Sequence, residues 1–394
     1  MSFIEDAGKL LRENIRDYGM FIALFIIVTF FAIATNGLFV SPRNIVNLVN
    51  QTGYIAVLAI GMTLVIVIRH IDLSVGFLAG FLGAVAAIAM VQWNLPVIVV
   101  IPFVLFLGIL AGRLTSFMVA DLGIPAFVAT LAGWLGYRGA LQLVTRSTGT
   151  IVISNEAFNA IGNGFVPEIP YTWIMPETHK FTLILGLLGI VFFITSEVIN
   201  RRRMQRQNIE VPSKAMFILK LVAVSALIGG IAWILAGYRG LSWTAVVVLI
   251  VVIVYHFMTT KTVLGRHIYA VGGNPEAAEL SGISVKKITH VVFGSMGMLS
   301  ALAGILFAAR LQSATTTAGQ LFELDAIAAA FVGGVSAAGG VGTVIGSLIG
   351  ALVMTSLTNG MNLMGIDISY QYIVRAFVLA AAVIFDVTTR RTGK

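Results

Sequence analysis

Long apolar runs follow one another along this chain, each separated from the next by a short polar or glycine-rich interruption. A helix needs about 20 apolar residues, with a range of roughly 17–25, to cross the hydrocarbon core of a bilayer. Runs near that size lie at 18–35, 54–68, 71–93, 95–112, 125–144, 181–199, 215–237, 241–258, 288–309 and 370–388. Lipid offers no partners to backbone N–H and C=O groups, so each run predicts an α-helix. The apolar stretch 324–358 is interrupted by "GGVSAAGGVG" and predicts two short segments. The pattern therefore predicts an all-α polytopic membrane protein with about 10 transmembrane helices plus this broken pair, folded as one transmembrane domain over 1–394.

Composition strengthens that reading. Of 394 residues, 58% are hydrophobic and 11% charged, less than half the roughly 25% charge of a soluble domain. The absence of cysteine excludes disulfides, thiolate metal sites and a cysteine nucleophile. The five histidines are scattered without metal-ligand spacing, and none of the Gly-Lys pairs precedes Ser or Thr as a phosphate-binding loop requires. The net charge of +8 fits cytoplasmic loops rather than nucleic-acid binding, because Lys and Arg concentrate on that side of a membrane protein. Ala32-Ile33-Ala34 resembles a signal-peptidase site, but the mixed-charge flank before it is long for a signal peptide. A retained first span is expected.

The basic stretches fix an expected orientation. "NRRRMQRQNIEVPSK", the 259–287 loop and the tail "TTRRTGK" are all assigned to the cytoplasm. With the N-terminus inside, six spans return the chain inside at Arg201 and two more at Lys261; the last span then brings the tail inside. Both termini are thus expected to be cytoplasmic. The loop 145–180 falls outside, where it is either a platform for an external partner or a solvated connector.

Polar residues within apolar surroundings are costly and usually face a cavity or a partner helix. The first cluster is "RHIDLSVG". There Asp72, close to Ser74, either caps the third span or lines a path. Asp325 in "FELDAIAAAF" sits similarly at the start of the broken segment, and the two stretches hint at an internal repeat. In "GIPAFVATLAG", Pro125 suits the first helical position, and Phe127 and Thr130 share a face. A third cluster of Asn359, Asn362, Asp367, Tyr370 and Gln371 suits either a neutral polyol or a solvated outer loop. Lys220 and Arg375 lie within spans, where each is expected to snorkel or to pair with a carboxylate. Gly76 with Gly80, and Gly342 with Gly346 and Gly350, have the four-residue spacing that lets membrane helices approach closely.

The stretch "GGNPEAAELSG" at 272–282 breaks the apolar rhythm. Asn274 is a favoured N-cap. Pro275 fits the first helical position, and Glu276 lies where the helix dipole favours an anion. Ala277 and Ala278 are strong helix formers, and Gly282 supplies a left-handed stop. A helix of about 275–281 is too short to stand alone. Its small Ala face is expected to meet a partner, within a ring of Lys261, Arg266, Lys286 and Lys287.

"GRHIYAVGGNPEAAELSGI" resembles the cytoplasmic coupling loop of permease subunits in bacterial ABC importers of the monosaccharide group, the ribose, xylose and galactose permeases. "IDLSVG", "IPAFVATLAG" and "ELDAIAAAFVGGVSAAGGVGTVIGSLIGAL" are similar to other stretches of that group. The basic segment near 200–214 points to the xylose type. The resemblance implies a single transmembrane permease domain in the bacterial inner membrane, pairing with a second copy of itself. Two cytoplasmic ATPase subunits would dock on the coupling segment Gly273, Asn274, Pro275, Glu276, Ala277, Ala278, Glu279, Leu280 and Gly282. A periplasmic binding protein would deliver sugar.

ATP and Mg would bind the partner ATPase, and this chain would bind no cofactor and catalyse nothing itself. Asp72, Ser74, Phe127, Thr130, Asp325, Asn359 and Asn362 are the path candidates. The chain has Arg69-His70 where the resemblance leads one to expect Gly-Gly. Two other readings stay open: an ion-coupled secondary sugar transporter, since broken helices near polar residues fit that class too, and an ABC permease for an amino acid or nucleoside.

Overall fold

A computed structural model describes residues 15–147, 149–169, 178–207 and 214–392. The N-terminal flank 1–14, the centre of the expected outer loop (170–177) and the end of the basic segment (208–213) lie outside the described residues. By its internal contacts the chain divides into two compact units. The described residues within Met1–Phe39, Leu48–Gly164 and Thr244–Lys394 form one, and those within Val40–Asn47 and Phe165–Trp243 the other.

The described residues form fifteen α-helices. They are α1 (Ile15–Ala34), α2 (Pro42–Val67), α3 (Val75–Val91), α4 (Val97–Ser116), α5 (Ala126–Thr145), α6 (Glu156–Asn163), α7 (Lys180–Arg206) and α8 (Lys214–Ala236). There follow α9 (Trp243–Lys261), α10 (Val263–Gly273), α11 (Pro275–Leu280), α12 (Val285–Leu311), α13 (Phe322–Val332), α14 (Val344–Leu363) and α15 (Ile368–Thr392). A helix stands at each of the ten predicted spans. By length and hydropathy, eight described helices suffice to cross a membrane, and the apolar helices Gly19–Ala34 and Val75–Val91 are shorter. The chain is a multi-pass membrane protein, and its described residues are helical apart from one two-stranded antiparallel sheet, β1 (Thr150–Val152) with β2 (Ser313–Thr315).

In the first unit α2, α12 and α14 form the interior: 83% of the apolar window of α2 is buried, against 6% for α15. The outer helices turn large apolar side chains such as Phe377 and Ile373 outward, as helices facing lipid must. Apolar burial drives little between helices when the solvent is itself apolar, so packing and hydrogen bonds carry the association. Threonine and serine hydroxyls link α2 to α14, Thr52 to Thr355 at 2.6 Å and Thr63 to Ser347. Glycine brings backbones together elsewhere. A Cβ added at Gly108 of α4 would lie 2.4 Å from the Gly297 carbonyl of α12, and one at Gly350 of α14 would lie 1.9 Å from the Ala329 carbonyl of α13. Of the run at four-residue spacing, Gly346 and Gly350 of α14 meet the Gly333 and Ala329 carbonyls, whereas Gly342 precedes the helix and meets the Val335 side chain. Gly76 and Gly80 meet backbone too, the carbonyls of Gly319 and Ala318.

The broken pair differs from expectation in its second half. At eleven residues, α13 rises about 16 Å, half of a hydrocarbon core of roughly 30 Å. With twenty residues, α14 is long enough to cross. The glycine-rich connector 333–343 returns to the C-terminal end of α2, where the Gly340 N–H donates to the Val67 carbonyl at 2.8 Å.

The loop 145–180 is more than a connector in its described part. Beyond β1, α6 is capped by Asn155, whose side chain accepts from the Phe158 N–H. Asn163 donates to the Ala309 carbonyl at 2.8 Å and to that of Arg310 at 3.1 Å, at the far end of α12. In the second unit, α7 and α8 pair antiparallel, with Lys220 on Glu197 at 2.9 Å and Arg201 over the Phe217 ring. The intramembrane lysine is therefore paired.

Replacing Gly350 by Leu should destabilise the protein by about 2 kcal/mol or more, as overpacking against backbone does. The check is a lower melting temperature of the detergent-purified chain, with Gly136→Leu, where a Cβ meets nothing within 4 Å, melting like the parent.

Candidate functional site

The segment after α9 folds as two helices in series. Thr262 starts α10, its hydroxyl accepting from the Gly265 N–H at 3.2 Å. This helix lies within the expected 259–287 loop, although its buried residues Gly265, Ile268, Val271 and Gly272 recur at helical spacing. Asn274 ends α10 and starts α11. Its side chain accepts from the Ala277 N–H at 3.0 Å, Pro275 takes the first helical position and Glu276 the first turn. At the other end the Ser281 hydroxyl donates to the Ala277 carbonyl at 2.8 Å, and the Ile283 N–H donates to the Ala278 carbonyl at 3.0 Å. Gly282 has a φ of +82°, the conformation for which a glycine stop was expected.

The surface of α11 is divided. Ala278 is 4% exposed and seats the helix on its own chain, whereas Leu280 is 91% exposed. Gly273, Asn274, Glu276, Ala277 and Glu279 are exposed as well, and so are Lys261, Arg266, Lys286 and Lys287 around them. The alanine pair therefore does not form one outward face: Ala277 points out and Ala278 in. The outward face combines two carboxylates, one small residue and one large apolar residue. Ser284 then caps α12, accepting from the Lys287 N–H at 3.3 Å. With 27 residues, α12 is a rod of about 40 Å leading from α11 to the β1–β2 sheet.

The other candidates form two groups. In one, buried Asp72 accepts from the Ser74 N–H at 2.9 Å and the Ser74 hydroxyl at 2.6 Å. Ser74, not Asp72, is the N-cap of α3, so the aspartate stabilises the turn before the helix rather than the helix end. Thr130 is fully buried, and its hydroxyl reaches the Ile71 carbonyl at 3.4 Å. Phe127, 59% exposed, faces away from this group. Pro125 is the N-cap of α5, one position before the expected one. Burial pushes the pKa of neighbouring His70 down.

In the second group, Arg375 of α15 pairs with Asp325 of α13 at 3.1 Å and donates to Thr358 of α14 at 2.9 Å. Asn359 is buried next to it, and Asn362 accepts from Gln371 at 2.7 Å. Tyr370 is exposed. In the turn between α14 and α15, hydrogen bonds from the Ser369 hydroxyl and N–H hold the exposed Asp367 carboxyl below its usual pKa. Arg375 thus pairs with a carboxylate, and Asp325 binds α13 to the outer helix. Asp72 and Asp325, alike in sequence, have different partners.

Two further clusters gave no sequence signal, because they join residues far apart in the chain. The Trp134 indole N–H donates to buried Glu323 at 2.9 Å. His290, in the second turn of α12, bridges Ser116 at 2.7 Å and Asp121 at 2.8 Å, and so ties the start of that rod to the end of α4.

A multi-pass helical body that exposes a short capped helix fits a transport permease. The chain belongs to that class: residues 44–383 match the family described as branched-chain amino acid transport system / permease component. It is 40% identical to the Xylose transport system permease protein XylH of Haemophilus influenzae, over 97% of this chain and 99% of that one. It is 38% identical to the protein of the same name from Escherichia coli, over 96% of this chain and 93% of the relative. To the Ribose import permease protein RbsC of Haemophilus influenzae it is 38% identical, over 96% and 94% of the two chains. No solved structure matches it.

Replacing Arg375 by Met should leave Asp325 as an unpaired carboxylate and cost about 3 kcal/mol. Combining it with Asp325→Leu should recover most of that loss, which thermal unfolding of the parent and the two purified variants would read.

Proposed function

We propose that this chain is the transmembrane permease subunit of an ABC importer for a monosaccharide, forming the sugar path across the bacterial inner membrane. Two copies would face each other, and a periplasmic binding protein would deliver sugar to the end carrying α6 and the β1–β2 sheet. A cytoplasmic ATPase, which binds the ATP and Mg, would dock on α11. The chain itself would be a transport subunit rather than an enzyme.

The observation that carries this reading is α11. It is a six-residue helix, too short to persist on its own, yet capped at both ends. It exposes Glu276, Ala277, Glu279 and Leu280 together, and the 27-residue α12 follows it after the turn at Gly282. A partner seated on that face would move a rigid lever. The near full-length likeness to permeases named for xylose and ribose supports a neutral aldopentose as cargo. Asn359, Asn362 and Gln371 offer the neutral donors and acceptors that pentose hydroxyls would need, and Asp72, Ser74 and Thr130 remain path candidates.

The test is uptake of labelled xylose in cells carrying the chain with its ATPase and binding protein. Glu276→Lys reverses the charge favoured at a helix start, and Gly282→Pro imposes a φ near −65° where +82° is required. The double variant should insert normally but lose uptake and co-purification of the ATPase. Unchanged uptake would overturn the proposal. Xylose transport by the purified chain alone in liposomes, driven by a proton or sodium gradient, would favour the secondary-transporter reading.

A further inference from the structure

Arg69 is the second residue after α2. Its φ is +66°, in the left-handed region that costs any residue with a Cβ and is natural to glycine. The side chain reaches across some two hundred residues of sequence. Its Nε–H donates to the Gly272 carbonyl at 2.7 Å, and a second guanidinium N–H donates to the Gly273 carbonyl. Both carbonyls belong to the last turn of α10, where carbonyls lack intrahelical partners and the helix dipole favours a cation. No basic residue of α10 itself occupies that last turn. Gly273 is also the residue before Asn274, which starts α11. Arg69 therefore grips the joint between the two helices.

The joint is packed from other sides as well. A Cβ at Gly272 would lie 1.9 Å from the Val67 carbonyl, and one at Gly339 would lie 2.4 Å from Cγ of Arg69. The Gly340 N–H donates to that same Val67 carbonyl at 2.8 Å, and the Tyr269 hydroxyl donates to the Gly342 carbonyl at 2.6 Å. The end of α2, the α10–α11 joint and the connector between α13 and α14 thus meet in one knot. From the knot, α2 runs back beside α14 through the Thr63–Ser347 and Thr52–Thr355 pairs.

We propose that Arg69 is a positioning residue for coupling, a latch that makes α2 and the α13–α14 pair follow α11 when the ATPase moves it. Without the latch, α11 would swing on the joint and its displacement would pass to α12 alone. The backbone at position 69 would be most relaxed with glycine, so the arginine is held there for what its guanidinium grips. This inference rests on the reading of α11 as the ATPase docking helix.

The natural absence of cysteine makes a test direct. A nitroxide attached at Leu280→Cys in the purified chain reports the mobility of α11 by electron paramagnetic resonance, without any partner. Arg69→Gly should melt no lower than the parent, since glycine suits the backbone, yet should sharpen the nitroxide spectrum. In the transporter reconstituted without the label, pentose moved per ATP hydrolysed should fall about tenfold, the scale of one lost charge-assisted hydrogen bond. Arg69→Lys, which can reach one of the two carbonyls, should fall between.

An unchanged spectrum would overturn the latch. So would a looser α11 with an unchanged transport ratio, or a lower melting temperature, which would mark Arg69 as merely structural. If Glu276→Lys with Gly282→Pro leaves uptake intact, the docking reading itself fails. If that pair abolishes uptake while Arg69→Gly keeps its transport ratio, only the latch fails.

Discussion

Gly272 can lie against the Val67 carbonyl only because it has no Cβ; an added carbon would sit 1.9 Å from that oxygen. The contact brings the start of α11 against the end of α2, and the same carbonyl takes the Gly340 N–H. Three segments far apart in sequence are held there backbone to backbone. Similar approaches join α4 to α12 at Gly108 and Gly297, and α13 to α14 at Gly350 and Ala329. In a bilayer this is the expected currency of association: lipid competes with apolar side chains on equal terms, so close van der Waals contact and interhelical hydrogen bonds must decide which helices stay together.

That packing produces two routes away from α11. One is the rod of α12, anchored at its start by the His290 bridge to Ser116 and Asp121 and at its far end by Asn163 of α6. The other passes through the knot at Gly272 to α2 and α14, whose hydroxyl pairs resist sliding. The Arg375–Asp325 pair then ties α13 to α15 beside the cluster of Asn359, Asn362 and Gln371. A displacement at α11 thus has rigid paths to the polar residues that are candidates for holding a sugar.

Local chemistry was legible in the sequence wherever consecutive residues decide it. Apolar run lengths located the long helices, and Asn274, Pro275 and Gly282 located α11 and its caps because each fixes its own backbone. What depends on the third dimension was not. Asp72 read either as a cap or as a path residue, and the turn it braces is visible only in the fold. The short, glycine-bounded α10 hid inside an expected loop. The interruption at "GGVSAAGGVG" read as a break between two short helices, although Val344–Leu363 is long enough to cross. The partners of Trp134, His290 and Arg69 lie some 170 to 200 residues away, beyond any periodic signal.

In the proposed function α11 faces the cytoplasm as the seat of a partner. Leu280→Cys in this otherwise cysteine-free chain, treated with a membrane-impermeant maleimide, reads that side directly. Labelling should occur in inverted membrane vesicles and not in intact spheroplasts, and it should be blocked when the ATPase is co-expressed. Labelling of intact spheroplasts, or labelling indifferent to the ATPase, would contradict it.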